Sequence, residues 1–424
     1  MQSIDFKKII EINFWEAAPK RIGYVRQFYV DALLRYLGSS LVKVLVGQRR
    51  AGKSTVLKQV IQYLLSQGAN SKNILFLNFE LHQLQWIKTQ AVLAQVIDTY
   101  FSQYKPRGKV YLFLDEIQEV SQWEIVINSF LADERYDVEI FITGSNANLL
   151  STELSTYLTG RYVELTIYPF SYAEYIDYRQ LKNSHASLSE YLDSSGLPEL
   201  FSLPDRDQKI AYLSALKDSV VMNDVVKRFQ IKHPKLLMLL LDFLLDNIGK
   251  LFSLRAIAKK LESIASSVNV ITLGNYVHYL ELTFLLHAVR RYDVRGKKLL
   301  EGERKYYVND LGFSNYLQNG FDHHMTRRLE NYVYLFLRQS GYQVYVGGLY
   351  QLEIDFIAEK NNERLYVQVT YLLASEDVIA REYGVLEKIH DHWPKWVVSL
   401  DQITIPPKEG IHHCPAWELF RLQG

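Results

Sequence analysis

Residues 41–65 read LVKVLVGQRRAGKSTVLKQVIQYLL. The first six are apolar apart from Lys43, which predicts a buried strand. From Val56 onward, Val56, Leu57, Val60, Ile61, Leu64 and Leu65 recur at helical spacing, so an amphipathic helix is expected to follow. Between the two lies Gly47-Gln48-Arg49-Arg50-Ala51-Gly52-Lys53-Ser54-Thr55, a G-x-x-x-x-G-K-[ST] pattern in the strand–loop–helix setting that its chemistry requires. Glycines let successive backbone N–H groups curl round an anion, and the helix start adds the positive end of its dipole. Gly47 to Thr55 are therefore expected to cradle a nucleotide, with Lys53 reaching the β- and γ-phosphates and Ser54 ligating Mg²⁺.

A second motif supports the first. Tyr111-Leu112-Phe113-Leu114-Asp115-Glu116 is an apolar strand that delivers two carboxylates at its carboxyl end. Asp115 is expected in the Mg²⁺ shell. Glu116 is expected to orient and deprotonate an attacking water, a role worth on the order of 10²–10⁴ in rate. A strand pattern at residues 74–79 between the two motifs, together with Glu116, favours the ATPases that carry an added glutamate. No Asn-Lys-x-Asp guanine-reading motif occurs, so ATP is favoured over GTP. Thr143-Gly144-Ser145-Asn146 ends the next strand pattern, and Ser145 or Asn146 is a candidate reader of the γ-phosphate at the sheet edge where α/β ligands sit. Arg161 is a candidate arginine finger or sensor, its alternative being a solvated loop arginine. Arg49 and Arg50 either touch phosphate or a neighbouring subunit in an oligomer, or point to solvent.

With 424 residues the chain exceeds a single core. Strand patterns at 41–46, 74–79, 110–114, 139–143 and 163–167 alternate with helical ones, which predicts a mainly parallel α/β sheet. The segment 1–20 precedes an ATPase core at 21–175. Residues 176–234 read as a helical lid or connector. Helical patterns at 235–249, 254–261 and 272–281, with Ser253 as an N-cap, lead into strand patterns at 284–292 and 305–308 around a basic turn, Arg295-Gly296-Lys297-Lys298. That order predicts a winged helix-turn-helix over 235–318. Residues 319–424 read as a second, smaller α/β unit.

Bulk composition narrows the class. The 48 Lys and Arg balance 47 Asp and Glu, so any basic surface is local. One cysteine, Cys414, excludes an internal disulfide or a thiolate zinc site and points to a reducing, cytoplasmic setting. No run of about 18 apolar residues predicts a membrane span.

The motifs at 47–55, 114–118, 143–147, 158–161 and 168–172, followed by Gly196-Leu197-Pro198-Glu199-Leu200, Glu330-Asn331-Tyr332-Val333-Tyr334 and Glu353-Ile354-Asp355-Phe356, make the chain resemble bacterial and archaeal AAA-like P-loop ATPases with a C-terminal restriction-endonuclease-like domain of unknown function. The resemblance implies that Glu330, Asp355 and Gln368 stand where such nucleases place their metal-binding groups. Thr370 occupies the position of the expected lysine. A degenerate, non-cleaving domain is therefore favoured over an active nuclease, with Lys360 and Lys388 as candidate migrated lysines.

Asn275, Tyr276 and His278 are the base or phosphate readers on the helical pattern at 272–281. Three functions remain: a switch or motor coupling ATP hydrolysis to a partner such as DNA, an ATP-dependent nuclease, and a signalling ATPase whose partner is a protein.

Overall fold

The computed structural model describes residues 6–13, 15, 22–145, 158, 160–262, 269–317, 325–403 and 405–423. They form two compact units, 1–168 and 169–424.

The first unit runs α1 (Phe6–Ile12), α2 (Gln27–Leu34), β1 (Val42–Val46), α3 (Lys53–Ser66), β2 (Ile74–Asn78), α4 (Gln90–Tyr104), β3 (Val110–Asp115), α5 (Trp123–Ala132), β4 (Val138–Gly144) and β5 (Tyr162–Thr166). All strand pairs are parallel, in the order β2-β3-β4-β1-β5. This is the sheet of a P-loop NTPase. Every residue of β1 is buried, as a parallel strand covered on both faces requires. On α3, Val56, Leu57, Val60, Ile61 and Leu64 pack into a core with Leu45, Phe113, Phe141 and Ile167. The one charge inside β1, Lys43, lies 2.6 Å from Glu139 on β4, the pairing that a buried ammonium needs.

Strand order revises one expectation. Residues 74–79 lie between the two motif strands in the chain but not in space, because β4 separates β1 from β3 and β2 lies outside β3.

The second unit opens with α6 (Tyr172–Arg179), α7 (His185–Asp193) and α8 (Arg206–Ser219). Ser171 and Glu174 form a capping box at the start of α6. There follow α9 (Pro234–Asp246), β6 (Leu251–Ser253), α10 (Leu254–Leu261), α11 (Val270–Leu282), β7 (Leu286–Asp293) and β8 (Lys298–Val308). Ser253 caps α10 by accepting from the Ala256 N–H. Then come α12 (Gly312–Leu317), α13 (Met325–Gln339), β9 (Gln343–Leu349), β10 (Leu352–Lys360), β11 (Glu363–Val369), α14 (Glu376–Glu387), β12 (Lys395–Ser399) and β13 (Ile411–Pro415).

One eight-stranded sheet, β13-β12-β11-β10-β9-β7-β8-β6, runs through this unit. The hairpin β7–β8 joins it through three parallel pairs, Arg291↔Val346, Tyr292↔Gly347 and Asp293↔Gly348. The edges of β7 and β9 thereby satisfy one another's backbone groups. Among the described residues no helix is long and apolar enough to cross a membrane.

Candidate functional site

The carboxyl ends of β1, β3 and β4 meet at one sheet edge, and the loop 47–52 leaves β1 there. Gly47 has φ 144°, and a Cβ on it would lie 2.1 Å from the Ile167 carbonyl oxygen. Only glycine fits. Gly52, at φ 96°, opens α3. The loop is braced from below by Arg26, whose Nη1 donates to the Ala51 and Tyr168 carbonyls at 2.8 Å each. Gln59 on α3 accepts from the Arg26 N–H at 3.1 Å and so ties the brace to the helix.

Lys53 is 4% exposed. Its Nζ donates to the Gly47 and Gln48 carbonyls at 3.1 and 3.2 Å and lies 3.4 Å from Glu116 Oε1. Ser54 Oγ donates to Asp115 Oδ1 at 3.0 Å. The same carboxylate receives the Thr143 hydroxyl at 2.6 Å and the Asn78 amide at 2.7 Å. Thr143 also accepts from the Glu116 N–H at 2.9 Å. One hydroxyl thus aligns both acids.

Burial, then the charge of Glu116, pushes the Asp115 carboxyl up to about 6, against Thr143, Ser54 and Lys53. Burial alone would also raise Glu116, but the Lys53 ammonium, the Gln118 amide and Arg49 hold it below the usual carboxylate range. Gln118 donates to Glu116 at 2.6 Å. Glu116 has φ 54°, a left-handed turn that a non-glycine residue adopts at a cost of about 1–3 kcal/mol. The turn leaves its carboxylate facing Lys53. The set therefore offers a hard-oxygen pair at Ser54 and Asp115, an ammonium for phosphate, and an ionised base.

The remaining expected residues divide. Ser145 is buried, with its hydroxyl 3.4 Å from the Gln118 amide, close to the acids. Asn146 lies outside the described residues. Arg49 pairs with Glu80 at 2.7 Å, and Arg50 is exposed on a loop residue with φ 68°.

Arg161 is not brought to the nucleotide loop of its own chain. It precedes β5, and its carbonyl accepts from the Val42 N–H at the amino end of β1. The five residues of β1, roughly 17 Å of strand, separate that edge from Gly47. As a finger it cannot act on a nucleotide held by its own loop. Thr143, Asn78 and Arg26 were not singled out in the sequence. Thr143 and Asn78 close strands beside Asp115, and that position is the signal that marks them. Arg26 carries no such signal.

In the second unit Glu330 (α13), Glu353 and Asp355 (β10) converge, but on a lysine from an unexpected strand. Lys305 of β8 places Nζ 2.7 Å from Glu330, 2.7 Å from Glu353 and 3.3 Å from Asp355. The Tyr307 hydroxyl donates to Glu330 at 2.5 Å. Burial alone would lower the Lys305 ammonium, but Glu330, Asp355 and Glu353 outweigh it and hold the group well above the ordinary lysine range. Burial raises Asp355 to about 7. Gln368 accepts from the Asp355 N–H at 3.3 Å and donates to Glu382 at 2.9 Å.

Neither lysine expected to migrate is the one found here. Lys360 donates to the Ser340 carbonyl, and Lys388 is exposed at the end of α14. Of the readers expected on α11, Tyr276 is buried, which removes it, while Asn275 and His278 are exposed.

Comparison with known proteins places these sites in context. Residues 39–176 match the family described as AAA domain, and residues 185–324 match a domain of unknown function, DUF8612. An uncharacterized protein of Haemophilus influenzae is 36% identical over 378 residues, covering 88% of this chain and 92% of that protein. Another from Methanocaldococcus jannaschii is 28% identical over 402 residues, covering 89% and 87%. Among solved structures, a Walker-type ATPase of Pyrococcus abyssi is 15% identical and covers 70% of this chain and 96% of its own, with a TM-score of 0.47.

Proposed function

Starting from the fact that this chain belongs to the family of the uncharacterized Haemophilus influenzae protein, with residues 39–176 matching the AAA domain, we propose that it is a cytoplasmic ATP-hydrolysing switch whose second unit engages a partner, with DNA as the candidate. The carrying observation is the convergence of Lys53, Ser54, Asp115 and Glu116 at one sheet edge, with Glu116 held ionised. These residues fit Mg²⁺-ATP: backbone amides of 47–53 and the Lys53 ammonium for phosphate, Ser54 and Asp115 as hard-oxygen ligands. Mg²⁺, when bound, neutralises charge between the phosphates. In this reading Lys53 gives up its carbonyl contacts for phosphate oxygens. Glu116 accepts the proton of a water aligned on the γ-phosphate, while Gln118 and Ser145 fix its carboxylate. If Lys53→Ala leaves magnesium-dependent ATP uptake by calorimetry unchanged, the nucleotide reading is lost.

We further read α9-β6-α10-α11-β7-β8 as a winged helix, on the support of β8 lying between β7 and β6. Residues 319–424 are read as a degenerate restriction-endonuclease-like unit, a reading supported by the order α13-β9-β10-β11-α14-β12 and by its acids. One observation favours the nuclease alternative: Lys305 supplies the lysine that Thr370 does not. Against cleavage stands the use of that ammonium to neutralise three carboxylates. Incubating branched and linear DNA with Mg²⁺ or Mn²⁺ separates the readings. Cutting that Asp355→Ala abolishes would establish the nuclease.

A further inference from the structure

A trough of about 1310 Å³ crosses the second unit, away from the Lys305 cluster. Four separate stretches wall it: the β7–β8 turn, the start of β9 with the β9–β10 turn, the β10–β11 turn, and the loop from α14 to β12. Five cationic side chains line it against three acidic ones, in a chain whose overall charge is near zero. Two of those acids are already engaged, one of them by a cation of the five. Glu359 pairs with Arg364, and Asp391 accepts from Tyr366 and pairs with Lys395. Arg295, Lys297 and Lys388 are exposed, and among the described residues no acid pairs with them. The local field is therefore positive.

Rings stand beside these charges. Tyr350 is 71% exposed at φ 59°, a backbone region that bulky residues seldom occupy, and the Arg295 guanidinium lies 5.3 Å from its ring centre. On the loop from α14 to β12 His392 and Trp393 hold their rings 4.3 Å apart, with Trp393 half-buried against the core and one part of it lining the trough. Cations beside aromatic faces in an open trough suit a chain of phosphates whose bases stack without sequence readout. A protein partner would be expected to meet an apolar centre with few charges. Here charged side chains line the β7–β8, β10–β11 and α14–β12 walls of the trough.

We propose that this trough binds single-stranded nucleic acid, with phosphates on Arg295, Lys297 and Lys388 and bases on Tyr350 and Trp393. The proposal deepens the switch reading by naming its partner class, and rests on that reading only for its purpose. The β7–β8 turn supplies one wall. The start of β9 with the β9–β10 turn, the β10–β11 turn and the α14–β12 loop supply the rest, so the site exists only because the β7–β8 hairpin and strands β9 to β12 share one sheet.

The test is fluorescence anisotropy on the full chain without nucleotide, using labelled oligothymidine, oligouridine and duplex DNA of about twenty residues over about 50–200 mM salt. Single strands should bind more tightly than duplex, with steep salt dependence, and the DNA and RNA arms report which strand is preferred. The triple change Arg295→Glu, Lys297→Glu and Lys388→Glu should weaken binding at least about tenfold and flatten the log–log salt slope by about 2. Tyr350→Ala with Trp393→Ala should weaken it about tenfold or more while leaving the salt slope in place.

Unchanged affinity in the charge variant overturns the proposal. So does displacement of the strand by polyglutamate as readily as by unlabelled oligothymidine, or duplex binding that equals single-strand binding. Lys53→Ala should keep strand binding while losing ATP, so failure at one site is not mistaken for failure at the other.

Discussion

Replacing Thr143 by valine keeps the volume of the side chain and removes a hydroxyl that serves both acids of the nucleotide site. A hydrogen bond to a charged group contributes about 1.5–3 kcal/mol. At about 1.4 kcal/mol per pKa unit, its loss should move the Asp115 carboxyl up by about 1–2 units from its starting value of about 6. Magnesium-bound ATP requires that carboxylate ionised. Apparent affinity should therefore fall below about pH 6 in the wild type, and one to two units higher in the variant. At pH 7 this amounts to a roughly 2- to 10-fold loss.

Calorimetric titration with Mg²⁺-ATP across about pH 5.5–8.5 reads the break directly. Thr143→Ser, which restores the hydroxyl, should return the break to the wild-type position. A Thr143→Val profile that superimposes on wild type, or a serine variant displaced as far as valine, refutes the coupling. The sign for stability is opposite to that for affinity. Because the folded carboxyl titrates near 6 and not near 3.8, its ionised form costs the nucleotide-free protein stability above pH 6, and acidification toward pH 4 relieves that cost.

Glu116→Gln should retain Mg²⁺-ATP binding and lose on the order of 10²–10⁴ in turnover, read as phosphate release under saturating ATP. Gly47→Ala should abolish nucleotide binding, because its Cβ would overlap the Ile167 carbonyl; full uptake by the purified variant would contradict the placement of that loop. Arg161→Ala should leave turnover by isolated monomers within about twofold of wild type, since it stands at the opposite sheet edge. Lys305→Met should cost about 3–5 kcal/mol by leaving buried carboxylates without their counter-charge. Adding Glu330→Gln and Asp355→Asn should recover much of the loss, as monitored by hydrogen exchange in β8 and β10 during urea unfolding.

The nucleotide site was legible because its chemistry is contiguous. Gly47, Gly52, Lys53 and Ser54 fall in eight consecutive residues, and Asp115 and Glu116 end an unbroken apolar strand. The five strands of the first unit appear within two residues of the patterns that suggested them. What stayed hidden depends on strand order and register, which no local pattern encodes. Arg161 reads as a finger, a sensor or a solvated arginine, and only the pairing of Tyr162 with Val42 places it at the edge away from its own nucleotide loop. Lys305 lies 25 residues from Glu330 and 50 from Asp355, ahead of both acids in the chain, whereas the candidates Lys360 and Lys388 follow them. Two short strands escaped for local reasons. Leu251–Ser253 is too brief to show alternation, and Ile411–Pro415 carries two histidines and a proline in place of an apolar run.

The splice between β7 and β9 bears on how this polypeptide can be dissected. Cutting after residue 318 looks natural from the sequence, yet it would strip β7 of its neighbour and leave Lys305 with neither Glu330 nor Asp355. The N-terminal piece would present a raw ladder edge, an invitation to aggregate, and its companion would hold crowded, mutually repelling acids. Insoluble halves from such an experiment would reflect a severed sheet, whereas division near residue 168 respects the boundary that the polypeptide itself draws.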